Sequence, residues 1–274
     1  MLRKDARIKS VSVRPEQREG SETRMEPSNP SLRSGRTGLQ LRFRSVFAVF
    51  ALLIASRSAA AQTPQAPLTV EAMTERLGAC ISCHGKEGRT INTEYLPRIA
   101  GKPAGYLFNQ LMNFRDGRRN NIAMSHLLQP LSDAYLREIA EYFSALELPY
   151  PAPQSALASA EILRRGEALV VRGDASRKLP ACAACHGLPL TGVTPAIPGL
   201  LGLPSAYLSA QLGAWRAGQR RAHAPDCMAG VAKALSPEDV SAVAAWLSAQ
   251  PVPTAAKPIA KLDAPLPVKC GGVP

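Results

Sequence analysis

The chain has 274 residues, 46% hydrophobic and 20% charged, a balance that excludes a fully disordered polymer. Its 24 prolines and 20 glycines follow no three-residue period, which excludes collagen. The net charge of +12 gathers at the N-terminus, where residues 1–61 hold 12 of the 33 Lys and Arg and 5 of the 21 acids, and this argues against a nucleic-acid binder.

Residues 1–41 are rich in Arg, Ser and Glu and nearly devoid of large apolar side chains, so they cannot bury a core. A start at Met25 or beyond accounts for them equally well. Arg42 and Arg44 then precede an apolar run over residues 46–55, and Ala59, Ala60 and Ala61 follow. A basic flank, a short apolar stretch and a small-residue cleavage site compose a secretory signal. The run is too short for the ~20 residues that span a bilayer, although Arg57 is atypical and leaves an uncleaved anchor open. Residues 1–61 are set outside the fold as extension and signal. The mature chain is expected in the periplasm, soluble or peripherally held at a membrane through partners, where thiols oxidise.

A helix expected over residues 70–79 leads into Cys80-Ile-Ser-Cys83-His84, followed by Gly85. A second, over residues 160–171, precedes Cys182-Ala-Ala-Cys185-His186 and Gly187. This is the pattern of c-type haem attachment. Two thiols three positions apart on one helical turn each add to a haem vinyl group, and the next residue brings an imidazole under the iron. Zinc ribbons space their C-x-x-C pairs by about 15–20 residues, and a thioredoxin-like pair needs a βαβ setting. Here the pairs lie nearly a hundred residues apart and the flanks show helical periods only. A disulfide within each pair would strain its loop and leave both histidines unexplained.

After each signature the sequence repeats itself. Tyr106-Leu-Phe-Asn-Gln110-Leu-Met-Asn-Phe114-Arg115-Asp-Gly117-Arg-Arg119 aligns with Tyr207-Leu-Ser-Ala-Gln211-Leu-Gly-Ala-Trp215-Arg216-Ala-Gly218-Gln-Arg220 at an offset of 101, which becomes 104 further on. Such repetition predicts two similar domains in tandem, at residues 62–148 and 157–250, joined by a Pro-rich linker over 149–156. Helices are expected over 105–114 and 206–215. Gly101 and Gly202 read as turn residues. Tyr106, Phe114, Tyr207 and Trp215 read as packing. Arg115, Arg119, Arg216 and Arg220 read equally as partners of haem propionates or as a solvated basic face.

Met124 in the first half and Met228 in the second lie in expected loops before the closing helices and are the candidate sixth ligands of each iron. A thioether favours ferrous iron and raises the potential. His126 and His223 are rivals that would give bis-His irons; a lone loop histidine is more often exposed. Met112 and Met73 read as core. The closing helices start at caps Ser132 and Ser236, the latter followed by Pro237, Glu238 and Asp239. Leu136, Ile139, Ala140 and Phe143 recur on one face, as do Val240, Val243, Ala244 and Leu247. Cys227 and Cys270, the latter in a Pro-rich tail over 251–274, are left to pair as a disulfide or, less simply, Cys227 ligates as a thiolate. No strand pattern is evident.

In these signatures, paired Tyr-Leu-x-x-Gln-Leu-x-x-(Phe/Trp)-Arg-x-Gly stretches and the two methionines, the chain resembles the cytochrome c4 family over residues 70–249. The resemblance implies an all-α fold of two tandem class I cytochrome c domains, each wrapped around one covalently attached haem c, with His84, Met124, His186 and Met228 on two irons. It implies a hydrophobic contact between domains, and electron transfer from a bc1 complex or dehydrogenase to a terminal oxidase, without substrate turnover. Cys227 beside Met228 and the long tail depart from the pattern. They leave open a dedicated cytochrome subunit of a larger dehydrogenase, as in sulfide dehydrogenases. A dihaem peroxidase or a thiosulfate-oxidising cytochrome would instead need an open coordination position.

Overall fold

The structure, a computed structural model, describes Met73 and residues 75–89, 95–155, 158–254 and 256–273. The N-terminal extension, the secretory signal and the start of the helix expected over 70–79 lie outside them. The first signature sits on α1 (Gly78–His84), preceded by a helical turn in which the Leu77 amide donates to Met73 O at 3.0 Å. Gly85 ends α1 at φ 76°, a conformation open to glycine at little cost. Then follow α2 (Ala104–Arg115), α3 (Ile122–Leu128) and α4 (Asp133–Ala145). The second half repeats the series: α5 (Ala160–Val171), α6 (Cys182–His186), α7 (Ser205–Arg216), α8 (Cys227–Ala234) and α9 (Pro237–Ser248). The all-α expectation holds, with each expected helix of the repeat extended by a residue at both ends.

The caps explain where these helices begin. Ser132 Oγ accepts from the Tyr135 amide, Ser159 Oγ from Ile162, and Ser236 Oγ from Asp239. Asp239 completes a capping box by accepting from the Ser236 amide at 2.9 Å, which satisfies two orphan donors at once. Two hydrophobic cores result. One gathers Met73, Leu77, Phe114, Leu136, Ile139 and Phe143; the other gathers Leu169, Val170, Leu201, Val240, Val243 and Leu247.

No strand was legible, yet β1 (Gly192–Val193) pairs antiparallel with β2 (Ile197–Pro198). Two residues per strand are too few to print a period of two. The tail adds to this ribbon, for the Ile259 amide donates to Gly192 O and the Thr194 amide to Ile259 O, both at 2.9 Å.

α5 and α9 cross at Gly166, where a Cβ would overlap Ala242 O and come within 2.8 Å of Trp246 Cβ. Gly166→Ala is therefore expected to force these helices apart at a cost of about 1–3 kcal/mol, read as a lower denaturant midpoint. An unchanged midpoint would show that the crossing tolerates the methyl.

The halves meet at a seam between α2 and α7 and the turns that follow them. The resemblance implies a hydrophobic contact, and two buried arginines also cross it. Arg119 donates to Gln110 Oε1 in its own half at 3.0 Å and to Gln211 Oε1 across the seam at 2.7 Å. Arg220 mirrors it, donating to Gln211 Oε1 at 2.8 Å and Gln110 Oε1 at 3.0 Å. Each also reaches the other half's tyrosine, Tyr207 or Tyr106. The backbone closes the seam, with the Asn120 amide donating to Gln219 O at 3.0 Å and that of Arg221 to Arg118 O at 2.7 Å.

Candidate haem-binding site

Each signature ends a short helix, and the loop beyond it curls back to hold the histidine. His84 Nδ1 lies 2.9 Å from Pro97 O, and His186 Nδ1 lies 2.7 Å from Pro198 O. A carbonyl only accepts, so each Nδ1 carries the proton and Nε2 is left with its lone pair. Both rings are buried, and burial lowers both pKa values against the opposing pull of the proline carbonyl. A neutral imidazole, oriented through Nδ1, is what a metal ligand requires.

The four signature cysteines are free thiols. Burial raises the thiols of Cys80 and Cys185 and pushes Cys182 up to about 11. Such thiols stay protonated at neutral pH, unlike the thiolates that hold zinc or act in exchange. Among the described residues no three His, Cys, Asp or Glu side chains converge as a metal-holding cluster. Thiols placed to become thioethers and an imidazole left to bind alone fit haem c, in which iron belongs to the porphyrin.

Two further observations fit an anionic group at the seam. Arg119 and Arg220 are 9% and 4% exposed, and no carboxylate pairs with either among the described residues. The indole Nε1 of Trp215 is buried without an acceptor, although Arg220 stacks on its ring at 3.7 Å. A buried cation and an orphan donor are costly unless an acceptor arrives, and haem propionates supply carboxylates. Of the basic residues left open by sequence, these two fit that role. Arg115 and Arg216 do not: Arg115 donates to Leu131 O at 3.0 Å, and Arg216 to Ala232 O at 3.1 Å and to Leu235 O. They brace the loops before the closing helices.

The candidate methionines lie on short helices rather than in loops. Asn121 Oδ1 accepts from the Met124 amide at 3.0 Å and starts α3; Asp226 Oδ1 accepts from the Ala229 amide at 3.0 Å and starts α8. Helices of 7 and 8 residues are too brief for periodicity to reveal. Met124 packs on the same core as Cys80 and Ile81. Met228 is half-buried at the start of α8, which packs on α7. His126, which lies on α3 rather than in a loop, and His223 in its loop are both exposed. Cys227 is bound to Cys270 in a disulfide, so it is not a thiolate ligand. Met73 is core, and Met112 packs against it.

Two residues near the site escaped the sequence reading. Lys102, from the first half, is buried, and its Nζ donates to Gly199 O in the second at 3.1 Å. Burial pushes it down to about 8, which leaves it charged at neutral pH. Arg98 donates to Leu148 O at 2.6 Å and Pro149 O at 2.9 Å and lies over the Tyr150 ring, so it pins the linker. Both contacts are long-range, and no local pattern announces them.

A family model described as cytochrome c matches residues 165–250. The chain is 40% identical over 158 residues to a thiosulfate dehydrogenase electron acceptor of Thiomonas intermedia, covering 57% of this chain and 70% of that one. It is 32% identical over 146 residues to cytochrome c4 of Pseudomonas aeruginosa, covering 53% and 70%. Among solved structures, a thiosulfate dehydrogenase from Marichromatium purpuratum aligns with TM-score 0.57 and 32% identity. That match covers 63% of this chain but only 36% of the other. Cytochrome c4 from Pseudomonas stutzeri aligns with TM-score 0.56 and 29% identity, covering 67% and 99%. With covalently attached haem c as its cofactor, the chain belongs to the cytochrome c4-type family of electron-transfer cytochromes.

Proposed function

We propose that the chain carries two haem c groups. Cys80 and Cys83 attach the first, with His84 and Met124 as axial ligands; Cys182 and Cys185 attach the second, with His186 and Met228. The matched anchoring of both histidines, each through Nδ1 on a proline carbonyl, carries this reading. When bound, each haem supplies a reversible one-electron change at iron, set by its axial ligands and burial. The chain fixes imidazole orientation, presents a thioether from a capped helix, and meets propionate charge with Arg119 and Arg220. Two tandem class I domains, at residues 62–148 and 157–250 with the linker over 149–156, follow from the repeat and are supported by the separate cores.

The chain works in the periplasm, exported by the signal within residues 1–61. Among the described residues no helix is long and apolar enough to cross a membrane. It receives electrons from a dehydrogenase or a bc1 complex and passes them to a terminal oxidase. The thiosulfate dehydrogenase electron acceptor from Thiomonas intermedia supports a thiosulfate dehydrogenase as the donor. The chain itself turns over no substrate.

Mass spectrometry of holoprotein from a host competent in cytochrome maturation is expected to show the polypeptide plus two haem masses. Cys80→Ala with Cys83→Ala, and separately Cys182→Ala with Cys185→Ala, are each expected to remove one. Met124→Ala and Met228→Ala are each expected to halve the sulfur-to-iron band at the red end of the visible spectrum. A bare polypeptide mass, or a band indifferent to both methionines, would overturn the assignment.

A further inference from the structure

Lys102 interrupts the internal repeat. At an offset of 101 its counterpart is Leu203, which joins the second core. Lys102 is as deeply placed, only 5% exposed, yet it ends in an ammonium. It follows Gly101, whose φ of 72° turns the chain into α2, and this turn is pressed against the other half. A Cβ on Gly105 would lie 2.7 Å from Pro195 O. Lys102 Nζ donates to Gly199 O at 3.1 Å, one residue beyond the carbonyl that orients His186. No carboxylate pairs with it among the described residues.

An unpaired cation held out of water acts over a longer range than a solvated one, because little dielectric screens it. Ferrous haem carries one positive charge fewer than ferric haem, so a fixed cation nearby favours the reduced state and raises the potential. We infer that Lys102, a residue of the first half, is a positioning charge that raises the potential of the second haem through its place beside the His186 loop. The inference rests on the two-haem reading. It gives the pair a direction, with electrons settling on the second haem.

The first half has a buried cation of its own in Arg119. Arg119, however, lies on the seam, where propionates would answer its charge. Among the described residues Lys102 Nζ instead donates to the Gly199 carbonyl and meets no carboxylate, so its charge stays uncompensated.

The test is a redox titration of full-length holoprotein. The second couple is identified as the one lost in Cys182→Ala, Cys185→Ala. Lys102→Gln keeps a donor for Gly199 O without the charge, and Lys102→Met keeps the length without either. Both are expected to shift the internal electron equilibrium about tenfold toward the first haem, equivalent to ~59 mV for a one-electron couple. Lys102→Arg is expected to restore it. The inference is overturned if the second couple holds its place in Lys102→Gln, or if both couples move together. Wild-type protein with one haem mass and a single couple would instead sink the two-haem reading.

Discussion

Replacing Asp239 by Asn is expected to destabilise the second half by about 3 kcal/mol, one of the two largest losses anticipated from side-chain changes in this chain. Asp239 is fully buried, and its carboxylate binds Arg165 at 2.7 Å through Oδ1 and Arg177 at 2.6 Å through Oδ2. It also closes the capping box of α9. Removing one member of a buried ion pair costs ~3–5 kcal/mol when the survivor stays buried. Here the low end applies, because Arg165, with its side chain 53% exposed, can turn to water; a lost cap adds ~1 kcal/mol. Burial alone would raise the Asp239 pKa, but Arg177, the Ser236 amide and Arg165 outweigh it and hold the carboxyl at about 2, against 3.8 when free.

The sign of the pH dependence follows from this depressed folded-state value. Since the folded state binds its proton at lower pH than the unfolded one, the stabilisation is complete above about pH 4 and is lost as pH falls toward 2. Denaturant unfolding of wild type and Asp239→Asn should therefore differ most near neutrality and converge in acid. Equal midpoints at pH 7 would show that the two arginines contribute no net stability there.

Cys227→Ser with Cys270→Ser is expected to cost about 4 kcal/mol by loop entropy, since the disulfide spans a sequence separation of 43. The closed loop contains α8, α9 and the tail. The tail is held elsewhere by few bonds, among them those of Ile259 and Thr194, the Gly271 amide on Pro225 O at 2.9 Å, and Asn109 Nδ2 on Gly272 O at 2.8 Å. The measurement is the unfolding midpoint, with wild type in reductant as a second arm. Because Met228 adjoins Cys227, the sulfur-to-iron band should also become heat-labile before the rest unfolds. A variant that unfolds with wild type would show that the tail is held without the covalent clamp.

What sequence made visible was local. Capping serines, the Pro237 start of α9 and the apolar faces of α4 and α9 depend on residues three or four apart, so they could be read directly. The cysteine spacing fixed the thiols and imidazoles, and the constant offset exposed the repeat. The proline carbonyls that orient His84 and His186 lie 13 and 12 residues beyond them, and the ribbon at residues 192–198 is too short to leave a pattern. Met124 and Met228 were singled out as candidates in loops and not as members of helices, because only the Asn121 and Asp226 caps mark where α3 and α8 begin. The seam was hidden for a different reason. An Arg at the end of a polar turn reads equally as a propionate partner or as a solvated residue until the other half is placed against it, and Lys102 likewise shows its burial only in that setting.

The seam has one more consequence. Arg119 and Arg220 each hold both glutamines, so the same patch serves both sides, as in a two-fold homodimer. Because one polypeptide supplies both copies, association is intramolecular. Even a slack short tether would give an effective concentration of about millimolar, and here Arg98 pins the tether. Dilution therefore cannot part the copies, and any hop across the seam proceeds as a first-order event whatever the abundance of the protein.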